Sequence, residues 1–236
     1  MEIAIIITVF LTSLIQAQFG VGLLAFGTPI LLTLGFDYIT ALETLIPCSI
    51  MLSAMQVVEG RKELPKERIS QFLVLLPATA IGFVIWFFIR EHISMKPMVG
   101  TVMILSAISM NIPQISGRLQ AFLSRFPGTS LLGIGLIHGL TNMGGSFLTF
   151  LSSTQFNSKH QIRAYVAAGY LLMAMVQFAV AYLMNPGGFH PRLEMLIFAF
   201  VGYQFVGRIL FSKIDNRRYK SAIQVGVVVL GIIALL

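Results

Sequence analysis

The chain has 236 residues, of which 56% are hydrophobic and only 11% are charged. Soluble domains carry about 25% charged residues, so this composition excludes a soluble globular domain and indicates a polytopic membrane protein. The net charge of +7 would suit nucleic acid, but the basic residues lie in short loops between apolar runs, as the positive-inside rule describes. The sequence therefore predicts contact with the lipid bilayer and no nucleic-acid partner.

Several classes of chemistry are excluded by what the sequence lacks. The single cysteine, Cys48, excludes an internal disulfide and a multi-cysteine metal site. No HExxH, GxSxG or P-loop pattern occurs, so we predict no enzyme activity, no metal and no cofactor. Met1 and Glu2 do not form a basic n-region, and no small-residue cleavage site follows the first apolar run. We therefore expect no cleavable signal peptide.

The first apolar region is interrupted by polar residues and glycine. Residues 3–15 and 21–35 are apolar arms of roughly 20–22 Å each as helix, which is shorter than a full span. Between two apolar arms, unwound backbone is tolerated at membrane depth only when it is buried in protein or lines a cavity. The pattern predicts a re-entrant hairpin. The break contains Gln16, Gln18, Gly20 and Gly22.

The rest of the first half predicts three membrane spans and a linker. The spans are the apolar runs 38–58, 69–89 and 96–112. Residues 113–128 contain two prolines and two arginines, and they predict a polar cytoplasmic linker.

The second half begins with another break between apolar flanks, within residues 129–152. Three further apolar runs, 164–184, 193–211 and 221–236, predict three spans. The polar and glycine residues of this second break are His138, Gly139, Thr141, Asn142, Gly144, Gly145 and Ser146.

The two halves align at a constant offset of 123 residues, which places Gly22 on Gly145 and Ala41 on Ala164. Breaks, loops and apolar runs coincide without a gap. We therefore predict a single membrane domain of two repeats, residues 1–112 and 129–236, joined by the linker. Internal repeats of this kind are typical of secondary transporters.

Membrane topology follows from the distribution of basic residues. If each half is a hairpin plus three crossings, 13 basic residues lie on one side of the membrane and 3 on the other. If each break instead sits inside one crossing, the split is 7 to 9, which violates the positive-inside rule. The first arrangement predicts inverted repeats with both termini outside. Hairpins whose arms cross completely give the same parity and remain an alternative.

The layout resembles a known family. A glycine-rich break is followed by an apolar run, a proline, a Leu-Gly turn and an alanine, and this order resembles the sulfite exporter TauE/SafE family, also described as the TSUP anion transporters. The resemblance implies a carrier of the bacterial inner membrane that moves sulfite, sulfonates or related small organic anions outward. The matching residues are Gly20, Gly22, Pro29, Leu34, Gly35, Ala41 and Thr44, and in the second half Gly144, Gly145 and Ala164.

The breaks are the predicted anion site. Helices that restart after a break present free backbone N–H groups and a partial positive charge, which favour an anion. The alternative is that the glycines only allow close helix packing. Glu43 and His138 are the titratable groups that could carry a coupling proton. The predicted binding residues are Gln18, Gly20, Gly22, Thr141, Asn142, Gly144, Gly145 and Ser146.

The sequence thus predicts a secondary transporter of small organic or sulfur-containing anions. A passive anion channel or uniporter of the same architecture is one alternative. A membrane subunit that assembles other proteins is another, although it gives no reason for two polar breaks in register.

Overall fold

A computed structural model describes residues 1–219, 221, 222 and 225. The predicted last span, 221–236, and the C-terminus therefore lie almost wholly outside the described residues. Within the described part the chain is helical and contains no strand. The helices are α1 (Glu2–Phe19), α2 (Leu23–Thr33), α3 (Tyr38–Glu59), α4 (Phe72–Ile89), α5 (Met95–Asn111), α6 (Pro113–Arg125), α7 (Pro127–Thr141), α8 (Gly144–Gln155), α9 (Lys159–Met184) and α10 (Met195–Lys213).

Five of the described helices are long and apolar enough to cross a membrane, namely α1, α3, α4, α9 and α10. A sixth span is available if α5 and α6, which meet at a 97° bend, are counted as one. The prediction of an all-α polytopic membrane protein is confirmed.

Polar contacts mark one end of the helix bundle, which we call the Arg192 end. Arg192 forms an ion pair of 2.7 Å with Glu2 at the start of α1. The backbone N–H of His190 donates to Glu43 Oε1 in the second turn of α3. Helices α1 and α3 therefore both begin at this end and run in the same direction.

A second polar group marks the opposite end, which we call the Glu59 end. Glu59, the last residue of α3, pairs with Arg163 at 2.8 Å, and Arg163 Nη1 also donates to Ala17 O near the end of α1 at 3.0 Å. Because Arg163 lies in the second turn of α9, that helix runs antiparallel to α1 and α3.

The first hairpin arm is longer than predicted. The predicted short arm, residues 3–15, is an α-helix of 18 residues, because Gln16 and Gln18 continue the helix instead of ending it. The amide of Gln16 donates to Ser53 Oγ at 3.0 Å and that of Gln18 to Gly207 O at 2.7 Å. With these partners, polar side chains can remain within an apolar helix.

Two further helix boundaries also depend on side-chain partners. Asp37 caps α3 by accepting hydrogen bonds from the backbone N–H and hydroxyl of Thr40 at 2.8 and 2.7 Å. Partial burial alone would raise the pKa of Asp37, but the hydrogen bonds from Thr40 hold that pKa below its usual value. Helix α9 begins at Lys159, five residues before the predicted span, where the backbone N–H of Lys159 donates to Asn216 Oδ1 at 2.9 Å and the Lys159 ammonium donates to Phe211 O and Ile214 O.

The predicted linker also contains a helix. Helix α6 covers Pro113–Arg125, with Pro113 in its first turn, where the missing N–H of proline is tolerated. Ile115 and Phe122 are exposed on it. Most of the predicted linker is therefore a helix with exposed apolar side chains.

Candidate functional site

The first break is a tight turn that folds the chain back onto α1. Helix α1 ends at Gly20, whose φ of 77° is left-handed, and its N–H donates to Gln16 O at 2.9 Å. Gly22 then packs against α1, so that a Cβ at Gly22 would lie 2.6 Å from Thr12 O and closer still to Gln16 N. Only glycine fits at this contact, because the obstacles are backbone atoms.

The second break repeats this geometry. Helix α7 ends at Asn142, whose φ is 65°, and its N–H donates to His138 O at 2.8 Å. A Cβ at Gly144 would lie 2.5 Å from both Ile134 O and His138 Cβ. The residue whose contacts match those of Gly22 is therefore Gly144 and not Gly145. The predicted alignment of the two halves is off by one residue at this position. A comparison of hydropathy is too coarse to detect a shift of one residue.

Two glutamines that sequence reasoning missed support the breaks in the same way. Gln56 Nε2 donates to Gln16 O at 2.7 Å, and Gln177 Nε2 donates to His138 O at 3.1 Å. Both glutamines are fully buried. In each break, the glutamine amide donates to the same carbonyl oxygen that accepts the backbone N–H of the left-handed residue. Isolated glutamines inside otherwise apolar spans were the available signal, since polar residues there are often functional.

The two breaks are in contact with each other. Asn142 Nδ2 donates to Thr28 Oγ1 in α2 at 3.0 Å, while Asn142 Oδ1 accepts from Gln177 Nε2 at 2.7 Å. Gly145 lies against the side chain of Val21 in the first break. Residues more than 100 positions apart in sequence are thus brought to one place.

The backbone amides that follow the first break are already used within the protein. Leu23 N donates to the side-chain oxygen of Gln16 at 3.1 Å, and Ala25 N donates to the hydroxyl of Tyr170 at 3.0 Å. These two amides are therefore not available to a ligand in this conformation.

The second break contains a buried side chain without hydrogen-bond partners among the described residues. Gly144 and Gly145 open α8, and first-turn amides have no carbonyl partner within their own helix. His138 is fully buried, and neither of its ring nitrogens has a hydrogen-bond partner in the described part of the chain. Its ring centroid lies 5.4 Å from that of Tyr170. Ser146 lies in the same first turn of α8 and is 6% exposed.

Three other predicted residues have partners elsewhere. Gln18 donates to Gly207 O on α10, and its own Oε1 has no partner among the described residues. The Thr141 hydroxyl donates to Ile137 O at 2.7 Å and accepts from Met143 N at 3.2 Å, so it stabilises the turn. Glu43 accepts from His190 N at the Arg192 end, and the structure does not bring it to the breaks.

A cluster at the Glu59 end connects the two halves of the chain. Glu59 Oε2 accepts from Arg163 at 2.8 Å and from the Tyr203 hydroxyl at 2.7 Å, and Arg208 Nε lies 3.4 Å from Glu59 Oε1. The guanidinium of Arg163 also stacks over the Phe211 ring at 4.1 Å.

The described residues contain no group of three or more His, Cys, Asp and Glu side chains that could hold a metal ion. The polar groups at the breaks are backbone amides, side-chain amides, hydroxyl groups and one imidazole. Groups of this kind can donate hydrogen bonds to an anion.

Comparison with known proteins identifies the family of this chain. The family model described as Sulfite exporter TauE/SafE matches residues 5–234, nearly the whole chain. The chain belongs to the sulfite exporter TauE/SafE family. No curated protein and no solved structure matches it significantly. Membership makes this TauE/SafE chain a multi-pass membrane transporter and not an enzyme, which confirms those predictions.

In this TauE/SafE protein His138 lies at the second break and Glu43 lies at the Arg192 end. Their different positions lead to a prediction about the pH dependence of transport. If His138 binds or releases the coupling proton, transport should rise as pH falls, because a protonated imidazole attracts the anion. His138→Gln should flatten this profile, measured as flux in proteoliposomes. Glu43→Gln, at the Arg192 end, is the matched control and should keep it. A wild-type profile in His138→Gln would assign His138 a purely structural role.

Proposed function

We propose that the protein is a secondary transporter that exports small organic or sulfur-containing anions, such as sulfite or a sulfonate, and that the anion binds where the two helix breaks meet. One observation carries this proposal. At the contact between the breaks, both ring nitrogens of buried His138 lack a hydrogen-bond partner among the described residues, and no side chain of the described residues caps the opening turn of α8.

The N-terminal turn of a helix favours an anion for a physical reason. The N–H groups of the first turn and the partial positive charge of the helix together favour an anion. Gly144 and Gly145 supply these N–H groups, whereas the N–H of Ser146 already donates to Met143 O at 3.3 Å. Ser146 contributes its hydroxyl, and His138 adds a ring donor. No lysine or arginine is needed, so the anion is held by several neutral hydrogen bonds and can leave again.

The remaining predicted residues have shaping roles in this proposal. Gly20 and Asn142 adopt the left-handed turns, and Gly22 allows the close return of the chain. Gln18 and Thr141 hold the ends of α1 and α7. The first break thus forms the wall of the site, while the second break supplies most of the donors.

We also propose that the two halves are inverted repeats in a bacterial inner membrane, with both termini outside. The support is that both hairpin tips carry the same hydrogen bonds, Gln56 to Gln16 O and Gln177 to His138 O. In inverted repeats the binding site lies at the interface between the repeats, which is where the tips touch.

This topology makes a prediction. Single cysteines placed in residues 59–68 and 212–220 of a Cys48→Ser background should react with impermeant thiol reagents only from the cytoplasmic side. A cysteine beside Met1 should react from outside, because 13 of the 16 basic residues are then cytoplasmic. Labelling of the C-terminus from the cytoplasm would contradict inverted repeats.

Flux in proteoliposomes tests the proposed function. Purified protein is reconstituted, and uptake of labelled sulfite, ethanesulfonate, acetate and a cation is compared with and without a pH gradient. We expect uptake of sulfite or ethanesulfonate, but not of the cation. A pH gradient that drives accumulation supports a coupled carrier, whereas equilibration alone supports the uniporter. No flux of any anion would contradict transport and favour a subunit that assembles other proteins.

A further inference from the structure

Helix α6 lies across the end of α5 and does not continue it. The two helices meet at a bend of 97°, because Ile112 precedes Pro113 and is extended, with a ψ of 115°. Met95 and Tyr38, the first residues of α5 and α3, line one cavity at the Arg192 end. Helix α5 has 17 residues, about 25 Å at 1.5 Å per residue, and the hydrocarbon core of a bilayer is about 30 Å thick. Helix α6 therefore lies at the Glu59 end, near the boundary between hydrocarbon and lipid headgroups.

The side chains of α6 form separate stripes along the helix. Leu123 packs onto the bundle and is 4% exposed. Ile115 and Phe122 are seven residues apart and therefore lie on one side of the helix, where they are 40% and 47% exposed. Arg118 and Arg125 each follow one of these two residues by three positions, and both arginines are exposed. Residues three apart are neighbours on a helix surface, so an exposed apolar stripe runs beside a basic stripe.

The apolar stripe continues past the end of α6. Phe126 directly follows the helix and is 46% exposed, and its ring centroid lies 5.6 Å from that of Phe122. The guanidinium carbon of Arg125 lies 5.4 Å from the centroid of the Phe126 ring. Aromatic rings beside basic side chains are typical of helices that lie in the membrane interface.

The basic stripe has no acidic residue near it in sequence or among its main neighbours. Residues 92–193 contain no aspartate and no glutamate. Helices α5, α7 and α8, which make most of the contacts of α6, all lie within this range. Neither Arg118 nor Arg125 forms an ion pair with a described residue. Two positive charges therefore accumulate on α6 without compensation, and they favour an anionic partner.

We propose that α6 lies in the membrane interface and binds anionic phospholipids, with Arg118 and Arg125 on their phosphate groups. Ile115, Phe122 and Phe126 then lie among the upper parts of the acyl chains. Arginine binds phosphate through paired N–H groups, and an anionic lipid surface attracts basic residues beside it. A phospholipid carries the phosphate and the apolar chain in one molecule, so it satisfies both stripes. A soluble acidic partner would satisfy the arginines but leave the apolar stripe uncovered.

A single tryptophan on α6 tests its position in the membrane. Full-length Phe122→Trp in a Trp86→Phe background, which removes the only native tryptophan, is reconstituted in phosphatidylcholine vesicles that contain phosphatidylglycerol with brominated acyl chains. We expect bromine to quench the emission of this reporter strongly. Gln120→Trp in the same background is the matched control, because Gln120 is exposed and lies about 200° around the helix from Phe122. It should be quenched several-fold less. An unquenched Phe122→Trp reporter, or equal quenching of both reporters, would overturn the proposal.

The headgroup preference is tested by replacing the brominated phosphatidylglycerol with brominated phosphatidylcholine at the same mole fraction. We expect the Phe122→Trp reporter to favour phosphatidylglycerol, by about fivefold for each arginine. Arg118→Gln combined with Arg125→Gln should bring this preference close to one. Arg61→Gln combined with Lys62→Gln, at exposed basic residues of the loop that follows α3, should keep it.

Thermal unfolding gives a second measurement that needs no introduced tryptophan. In detergent, phosphatidylglycerol should raise the Tm of the wild-type protein more than phosphatidylcholine does, and the double variant Arg118→Gln, Arg125→Gln should lose this difference. Equal effects of the two lipids on the wild type, or a preference that survives in the double variant, would overturn the proposal. None of these measurements depends on flux, so a protein that transports nothing would refute the proposed function and leave the lipid site standing.

Discussion

Gly22→Ala and Gly144→Ala should each abolish transport while the protein still reaches the membrane. A methyl group at Gly22 would collide with the backbone of Gln16 and Thr12, and one at Gly144 with Ile134 O and His138 Cβ. Overpacking of a closed core costs about 1–3 kcal/mol, and backbone obstacles cannot move aside as side chains can. The hairpin arms would separate and the site between the tips would be distorted. Flux in proteoliposomes, normalised to the amount of protein, measures the effect.

Gly145→Ala belongs to the same prediction. Its methyl group would meet the side chains of Val21 and Tyr170, with Tyr170 Cε2 at 2.7 Å, so it should push the two breaks apart and also stop transport. The obstacles are side chains here, and folding should be less affected than in Gly144→Ala.

Gly133→Ala is the matched control. Gly133 lies in α7, and a Cβ there would meet no described atom within 4 Å. Replacing glycine by alanine inside a helix stabilises it by about 0.5–1 kcal/mol, so this variant should transport normally. If Gly22→Ala and Gly144→Ala also transport normally, the glycines serve general helix packing and the site must lie elsewhere.

Asn142→Ala should nearly abolish transport for two separable reasons. The side chain connects Thr28 to Gln177 through hydrogen bonds of 3.0 and 2.7 Å, and the backbone has a φ of 65°. A non-glycine residue in that left-handed region costs about 1–2 kcal/mol, a cost that asparagine partly avoids. The lost hydrogen bonds leave buried groups unpaired, which weakens anion binding by about 1–3 kcal/mol.

Asn142→Gly separates these two contributions. It keeps the turn but removes the connection between the halves, so thermal stability should recover relative to Asn142→Ala while anion affinity stays low. Calorimetry in detergent and thermal unfolding measure the two quantities. Equal affinity in Asn142→Gly and wild type would show that the connection to Thr28 is dispensable for binding.

Local sequence chemistry predicted where the chain breaks, but not how far each arm extends. Gly20 and Asn142 end helices because they tolerate a left-handed φ, and this is visible in the sequence. The arm α1 is longer than its apolar run because Gln16 and Gln18 find partners at Ser53 and Gly207. Such partners depend on the tertiary fold, which hydropathy does not encode.

The glycines of the proposed site could be named from the sequence, whereas the side chains that contact them could not. The glycines of the second break were identified because they interrupt an apolar run. Tyr170 and Gln177 were not, since a single polar residue in a span resembles ordinary packing until its partner is known.

A crystal structure of the protein with 2-bromoethanesulfonate would test the central claim most directly, since the anomalous signal of bromine locates the ligand independently of its shape. The flux assay first establishes that this anion is transported. We then expect bromine density where the two breaks meet, with a sulfonate oxygen about 3 Å from the backbone nitrogen of Gly144 or Gly145. A transported anion that occupies any place other than the breaks would contradict the account.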